Sequence, residues 1–519
     1  MNFRPQMVTN HFNKARFAWA YYLPQIYIRT WWAVPHEPLE KVAKRYRNIV
    51  FCDLFDPTIA AQIAEGLYEI RQWSDASEFA RRAIAGDPYN MDLRTKGLYV
   101  ERGKTGRQIA KDAIEQLAHD FRHRPEIETT VAELYYAAGL AAEAEKASRA
   151  ILEKDPANKT AFNNVLSLLR LQGKTEESEQ IVAPFVAEHA SLVGDWALVD
   201  TVNYYIDRRE YERAALFLSK NLNYLDRSPG AAMIMLGRLK WFRGDLDGAR
   251  EEFERYYERY GGSEGAMDLP QLEALRGNWD VMRNQSYRIL ADRHTMMTGY
   301  FLNAIYSLHQ GDIPQGEKAI GTGLAYKVHD PEDYQTFALW QFYRGDFPAV
   351  IKACNNGQRY VRGPYDRWLD VTELRARLAM GDVEGAEPIV KRMRLLLPFF
   401  VWTYIGEALW QLGKGDIAAA RNAIEVARRY NPRDTHTQVA HGRILLAEGK
   451  TEEAIVELRY AADHVHAPRH LTEACYYLGQ ALEKARKTDE AAKAYERLLD
   501  LWAAGGWADK AKEGLERCR

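Results

Sequence analysis

One signal returns along this chain at a nearly constant interval. Gly-Asp or a close variant stands at Gly244-Asp245, Gly277-Asn278, Gly311-Asp312, Gly345-Asp346, Gly381-Asp382, Gly415-Asp416 and Gly449-Lys450, with gaps of 33, 34, 34, 36, 34 and 34 residues between the glycines. Self-similarity at such a period means that one small structural unit is repeated and stacked, because a unit of this length cannot bury a core alone. The same turn falls earlier at Arg71-Gln72, Gly139-Leu140, Gly173-Lys174 and Arg209-Glu210, and later at Arg486-Lys487. The 68 residues between 71 and 139 hold one more, around Gly103 to Gly106, so the period predicts thirteen units.

Each unit reads as two helices about a tight turn. Before the Gly244 turn the apolar residues Met235, Leu236, Leu239 and Trp241 keep helical spacing, and after it Ala249, Phe253 and Tyr256 do the same. Glycine accepts the left-handed backbone of a tight turn without steric cost, and the Asp or Asn that follows can cap the incoming helix. Five residues after the turn a small residue recurs: Ala76, Ala144, Ser178, Ala214, Ala249, Gly316, Ala386, Ala420, Ala454, Ala491. It lets the two helices approach closely. With 47% hydrophobic residues, 27% charged and only 19 prolines in 519, the chain has the composition of a folded, helix-rich protein.

This pattern resembles the tetratricopeptide repeat family, whose unit is 34 residues long. The unit with Leu236-Gly237, Gly244-Asp245, Ala249 and Phe253 carries the resemblance best, followed by the one with Leu478-Gly479, Ala491 and Tyr495; Pro88, Pro125, Pro156, Pro398 and Pro432 close several units. Departures are Met282 and Val350 at the small-residue position, and an irregular second unit. The resemblance implies an all-α fold, an α-solenoid in which antiparallel helix pairs form a right-handed superhelix. The expected division is a basic aromatic arm or cap at 1–51, the repeats at 52–503, and a C-terminal capping helix at 504–519.

The N-terminus is a separate object. Lys and Arg number 70 against 72 Asp and Glu, a net −2, yet residues 1–50 hold eight basic and two acidic residues and are +6, leaving −8 on the remainder. Ten aromatics make up 20% of this segment against 12% of the chain. Trp and Tyr beside cations, as in Arg16, Trp19, Tyr22, Trp31 and Trp32, suit docking on a partner protein, contact with an anionic membrane surface, or a cap folded on the first unit. The apolar run from Phe17 to Ile28 is too short to span a bilayer and lacks the small residues of a signal-peptide cleavage site. Four scattered cysteines, Cys52, Cys354, Cys475 and Cys518, form no CxxC pair and fit a reducing compartment. The location expected is cytoplasmic, with peripheral membrane contact through the arm.

Motifs for chemistry are weak. Gly-Lys-Thr at 103–105, 173–175 and 449–451 lacks the glycine that a phosphate loop needs five residues earlier, where Leu98, Leu168 and Ile444 stand. Asp463, His464, His466 and His470 form the one histidine concentration, with the ligand types of a metal site but in a Pro-containing connector. An enzyme subunit with a metal site there is one alternative reading. RNA binding in the manner of 35-residue helical repeats is another, against which stand the −8 repeat region and the 34-residue spacing. No catalytic residue, cofactor or metal is expected. The resemblance implies that first helices line a concave groove, with the first and fourth residues after the first-helix glycine position facing inward. Those positions include Arg238, Trp241, Phe342, Arg375, Trp410 and Arg443, the residue types that dominate protein-binding hot spots. The Lys/Asn set that clamps a C-terminal carboxylate in chaperone-binding members is absent from matching positions. The function expected is a non-catalytic scaffold binding partner proteins along the groove and docking through its arm.

Overall fold

The computed structural model describes residues 57–69, 73–105, 108–193, 196–225, 229–260, 267–290, 296–326, 331–358, 367–465 and 468–519. These residues form twenty-seven α-helices and one short 3-10 turn, with no strand among them. Thirteen successive antiparallel pairs run from Pro57–Glu69 with Trp73–Gly86 to Leu471–Lys484 with Thr488–Leu501, and the helix Gly506–Cys518 follows. The chain is an all-α solenoid.

The recurring turns are left-handed. Nine turn glycines, from Gly139 to Gly449, have φ between 73° and 88°, and Arg209 and Arg486 take φ of 59° and 60° at the equivalent places. Two backbone bonds close each helix: Gly244 N–H donates to Trp241 O at 2.9 Å and Asp245 N–H to Lys240 O at 2.9 Å, the pairing of a Schellman C-terminus. The next helix is then capped. Asp245, Asp312, Asp346, Asp382 and Asp416 each accept the N–H three residues on, at 2.9–3.1 Å. Asn278 does not cap; its amide turns back to Glu273 at 2.8 Å.

Small residues set the spacing within a pair. Ala144, Ala214, Ala249, Ala386, Ala420, Ala454 and Ala491 are fully buried. On the facing helix, glycine admits a large side chain: a methyl group at Gly237 would lie 2.5 Å from the Phe253 ring, and one at Gly479 2.5 Å from Tyr495. The departures are absorbed, since Met282 and Val350 are also buried at the equivalent place. In the irregular second pair, Met91–Thr105 with Lys111–Asp120, Gly103 lies inside the first helix against Trp73 and not at the turn itself.

Neighbour-to-neighbour stacking is only part of the packing. The largest buried cluster runs from Ala274 to Ala511 and contains the fully buried Trp340, Trp502 and Trp507. Their indole N–H groups donate to Ala304 O, Thr472 Oγ1 and Phe342 O at 3.3, 2.8 and 2.8 Å. The last of these joins residues 165 apart in sequence. Along this seam the turns of earlier pairs abut the connectors of later ones. Arg102 bonds Leu395 O, Tyr136 packs on Phe399 with ring centres 4.3 Å apart, Arg209 bonds His464 O, and His309 Nδ1 lies 3.2 Å from Leu501 O.

Candidate partner-binding face

A set of arginines and aromatics stands on the first helices of successive pairs. Arg238, on Pro229–Phe242, pairs with Asp268 at 3.0 Å across one repeat. Burial pushes the Asp268 carboxyl above the usual carboxylate range, although the Arg238 charge pulls the other way. Arg375, on Arg367–Met380, bonds Glu473 from three repeats further on and lies over the Phe342 and Trp402 rings at 4.2 and 5.5 Å. Burial opposes charge on both partners, but the opposite charges prevail: Arg375 is held above its ordinary pKa and Glu473 below its own. Arg443 lies over Tyr477 at 4.4 Å.

Beside them is a second buried cation. Arg469 bonds the Gln271 side chain, and burial lowers its pKa. His436 stands between Trp402 and His470, with ring centres 4.8 and 4.9 Å away, and its pKa falls because burial outweighs Asp434 and Glu473 nearby.

The aromatic members of the expected groove set pack inside the array. Phe342 is fully buried, and Trp241 and Trp410 are 7% and 8% exposed. Trp241 meets Phe253 edge-on at 6.2 Å, and the Trp410 indole donates to Val383 O at 3.1 Å. Of these three, Phe342 lies beneath a groove arginine, Arg375, while Trp241 and Trp410 pack on Phe253 and Val383. Arg16, Trp19, Tyr22, Trp31 and Trp32 lie outside the described residues, as does His466. His464 turns back to Tyr460 O at 2.8 Å, whereas His470 faces His436, so these two histidines have separate surroundings. Of the three Gly-Lys-Thr sites, Gly173 and Gly449 are left-handed turns.

A cavity of about 390 Å³ lies elsewhere, between the helix Trp279–Ile289 and the pair Met296–His309 and Ile313–Tyr326. Sequence reading, guided by the inner-face positions, passed over it. The available signal was the Arg283–Tyr287 pair, four residues apart on one helix face.

Residues 405–465 and 440–506 match the family model described as tetratricopeptide repeat. Residues 405–506 carry tetratricopeptide repeats. From Gly139 on, the earlier pairs share the left-handed turn and the period of the matched ones, and most share the buried small residue. No curated protein matches in sequence. Among solved structures, the chain is similar to the yeast Tom70 structure at 13% identity, covering 91% of this chain and 97% of that one, with a TM-score of 0.37. It is similar to the APC/C hetero-tetramer Cut9-Hcn1 at 14% identity, covering 95% and 96%, TM-score 0.34. A tetratricopeptide repeat protein from Parabacteroides merdae matches at 11% identity over 49% of this chain and 98% of that one, TM-score 0.35. A tetratricopeptide array is a protein-interaction fold. No described helix is long and apolar enough to cross a membrane.

Proposed function

We propose that this chain is a non-catalytic scaffold that holds partner proteins along its tetratricopeptide array and fastens to a larger assembly through residues 1–51. The observation that carries this reading is the array itself, in which thirteen helix pairs build one continuous stacked surface, a form suited to multivalent protein binding. In this reading Arg238, Arg375 and Arg443 are the polar anchors, with Phe342 against Arg375 and Tyr477 against Arg443, and Trp241 and Trp410 complete the aromatic set. Arginine and aromatic side chains suit this role because they combine large area with directed hydrogen bonds. A partner binding there takes over contacts that now run within the chain, such as Arg375 to Glu473. The cationic, aromatic arm, with Arg16, Trp19, Tyr22, Trp31 and Trp32, supplies the second attachment, on a partner protein or an anionic membrane surface. A cytoplasmic protein, peripheral at such a surface, is the corresponding location.

The test is a pull-down from native lysate with the full chain, with a variant lacking residues 1–50, and with Arg238→Ala/Arg443→Ala, read by mass spectrometry and by flotation with anionic vesicles. A defined protein set lost with the arm makes the arm the docking element; flotation alone lost makes it a membrane contact. A full chain that captures no reproducible protein set would refute the scaffold reading.

A further inference from the structure

The cavity beside Trp279–Ile289 has a chemistry different from that of the inner face. Its two walls are second helices of successive pairs, and its floor is the first helix Met296–His309, which turns Phe301, Ile305 and Leu308 into the core. The opposite side of that floor gives Tyr300, Asn303, Ser307 and Gln310 to the cavity. At about 390 Å³ the space is in the range of ligand and peptide-anchor sites.

Its charges are unevenly matched. Arg283 is held between the Tyr306 ring at 4.9 Å and the Tyr287 ring at 5.8 Å, and its Nε donates to the Tyr287 hydroxyl at 3.3 Å. No carboxylate takes its guanidinium among the described residues. Lys318, on the facing wall, is exposed and has no side-chain hydrogen bond or ion pair among the described residues. The two nearby carboxylates are engaged: Asp280 accepts the Tyr306 hydroxyl at 2.7 Å, and Asp312 caps its helix by accepting Gln315 N–H at 3.0 Å. Arg283 and Lys318 thus line a tyrosine-rich space in which neither is ion-paired among the described residues; Asp312 lines it too, with its Oδ1 taken by the helix cap. Tyr287 stays 49% exposed at the rim, which leaves aromatic surface for an incoming chain.

We infer that this cavity is a second docking site, separate from the inner face, for an extended acidic segment of a partner protein that seats one apolar side chain among Tyr287, Tyr300 and Tyr306. Arg283 and Lys318 receive carboxylates from either side, and Asn303 and Gln310 supply amides for the backbone of the bound strand. The stacked guanidinium is already held in place, so little freedom is lost when it binds. The chain's own cationic arm has the wrong sign for this site.

The inference rests on the array being a protein-binding scaffold, and a phage-displayed library of random eight-residue peptides separates the two. The full wild-type chain should enrich acidic sequences with an aromatic or aliphatic residue. Arg283→Glu/Lys318→Glu should lose them by at least tenfold and enrich basic sequences instead, a reversal that mere loss of structure would not produce. Acidic sequences that survive the double substitution, or the absence of any acidic enrichment, would overturn this site while leaving lysate capture through the inner face intact. A change in oligomeric state by light scattering with no change in peptide selection would also overturn it, by making a second copy of the chain the occupant.

Discussion

At the scale of a residue, the turn position decides most. A left-handed backbone costs a residue with a Cβ about 1 kcal/mol relative to glycine, and Arg209 and Arg486 occupy that conformation. Arg209 is compensated by its bond to His464 O and its stacking over Tyr460. Arg486 makes no such side-chain bond among the described residues. Arg486→Gly should therefore stabilise the C-terminal pair by about 1 kcal/mol, whereas Arg209→Gly should gain less or lose, as read from paired urea titrations. The two turns looked alike in sequence, because nothing local shows that a side chain from one superhelical turn will meet a carbonyl 255 residues away. His436 gives a second expectation. Its pKa is depressed by burial from the ordinary 6.5, so the unfolded chain binds more protons as pH falls below that value. Stability should be full above about pH 6.5 and drop below it. Glu473, whose pKa is lowered, keeps its contribution until pH falls below the ordinary carboxylate range. Melting temperatures across pH 8 to 5 should show the first loss in wild type and a smaller one in His436→Asn.

At the scale of an element, each helix is specified twice, once by its caps and once by what it faces. The aspartate caps and left-handed glycines were readable from the period alone, since both are local backbone requirements. The C-terminal helix Gly506–Cys518, expected from the sequence as a cap, has few apolar residues. The structure shows how much those few do. Trp507 is 1% exposed, donates to Phe342 O at 2.8 Å, and packs against Phe342, Phe347 and Tyr476. Trp507→Ala should cost about 3–5 kcal/mol. Hydrogen exchange should show protection lost in Pro331–Arg344 as well as in Gly506–Cys518, which a helix stacked only on its sequence neighbour would not produce.

At the scale of the whole molecule, the seam turns a linear array into a closed one. In a solenoid whose repeats touch only their neighbours, stability is a sum of local terms and the groove is open along its length. Here Tyr136 on Phe399, Arg209 on His464, Arg469 on Gln271 and His309 on Leu501 tie distant repeats together. Loosening that seam should lengthen the particle. Phe399→Glu combined with Arg209→Ala should raise the radius of gyration in small-angle X-ray scattering while leaving helical circular dichroism unchanged. An unchanged radius would mean that the seam contributes nothing to the closed form in solution.

Period, turn chemistry and small-residue spacing sufficed to read off the helix pairs, their number and the solenoid class, because each depends on residues within one or two turns of helix. That Arg238, Arg375 and Arg443 stand on first helices was legible for the same reason. What those arginines meet was not. Glu473 comes to Arg375 from three repeats away and Asp268 to Arg238 from the next, and their pairing depends on the curvature that many small inter-repeat rotations accumulate. The cavity between Arg283 and Lys318 has the same origin. Its two walls belong to different repeats, and their separation is set by packing angles that no local residue pattern encodes.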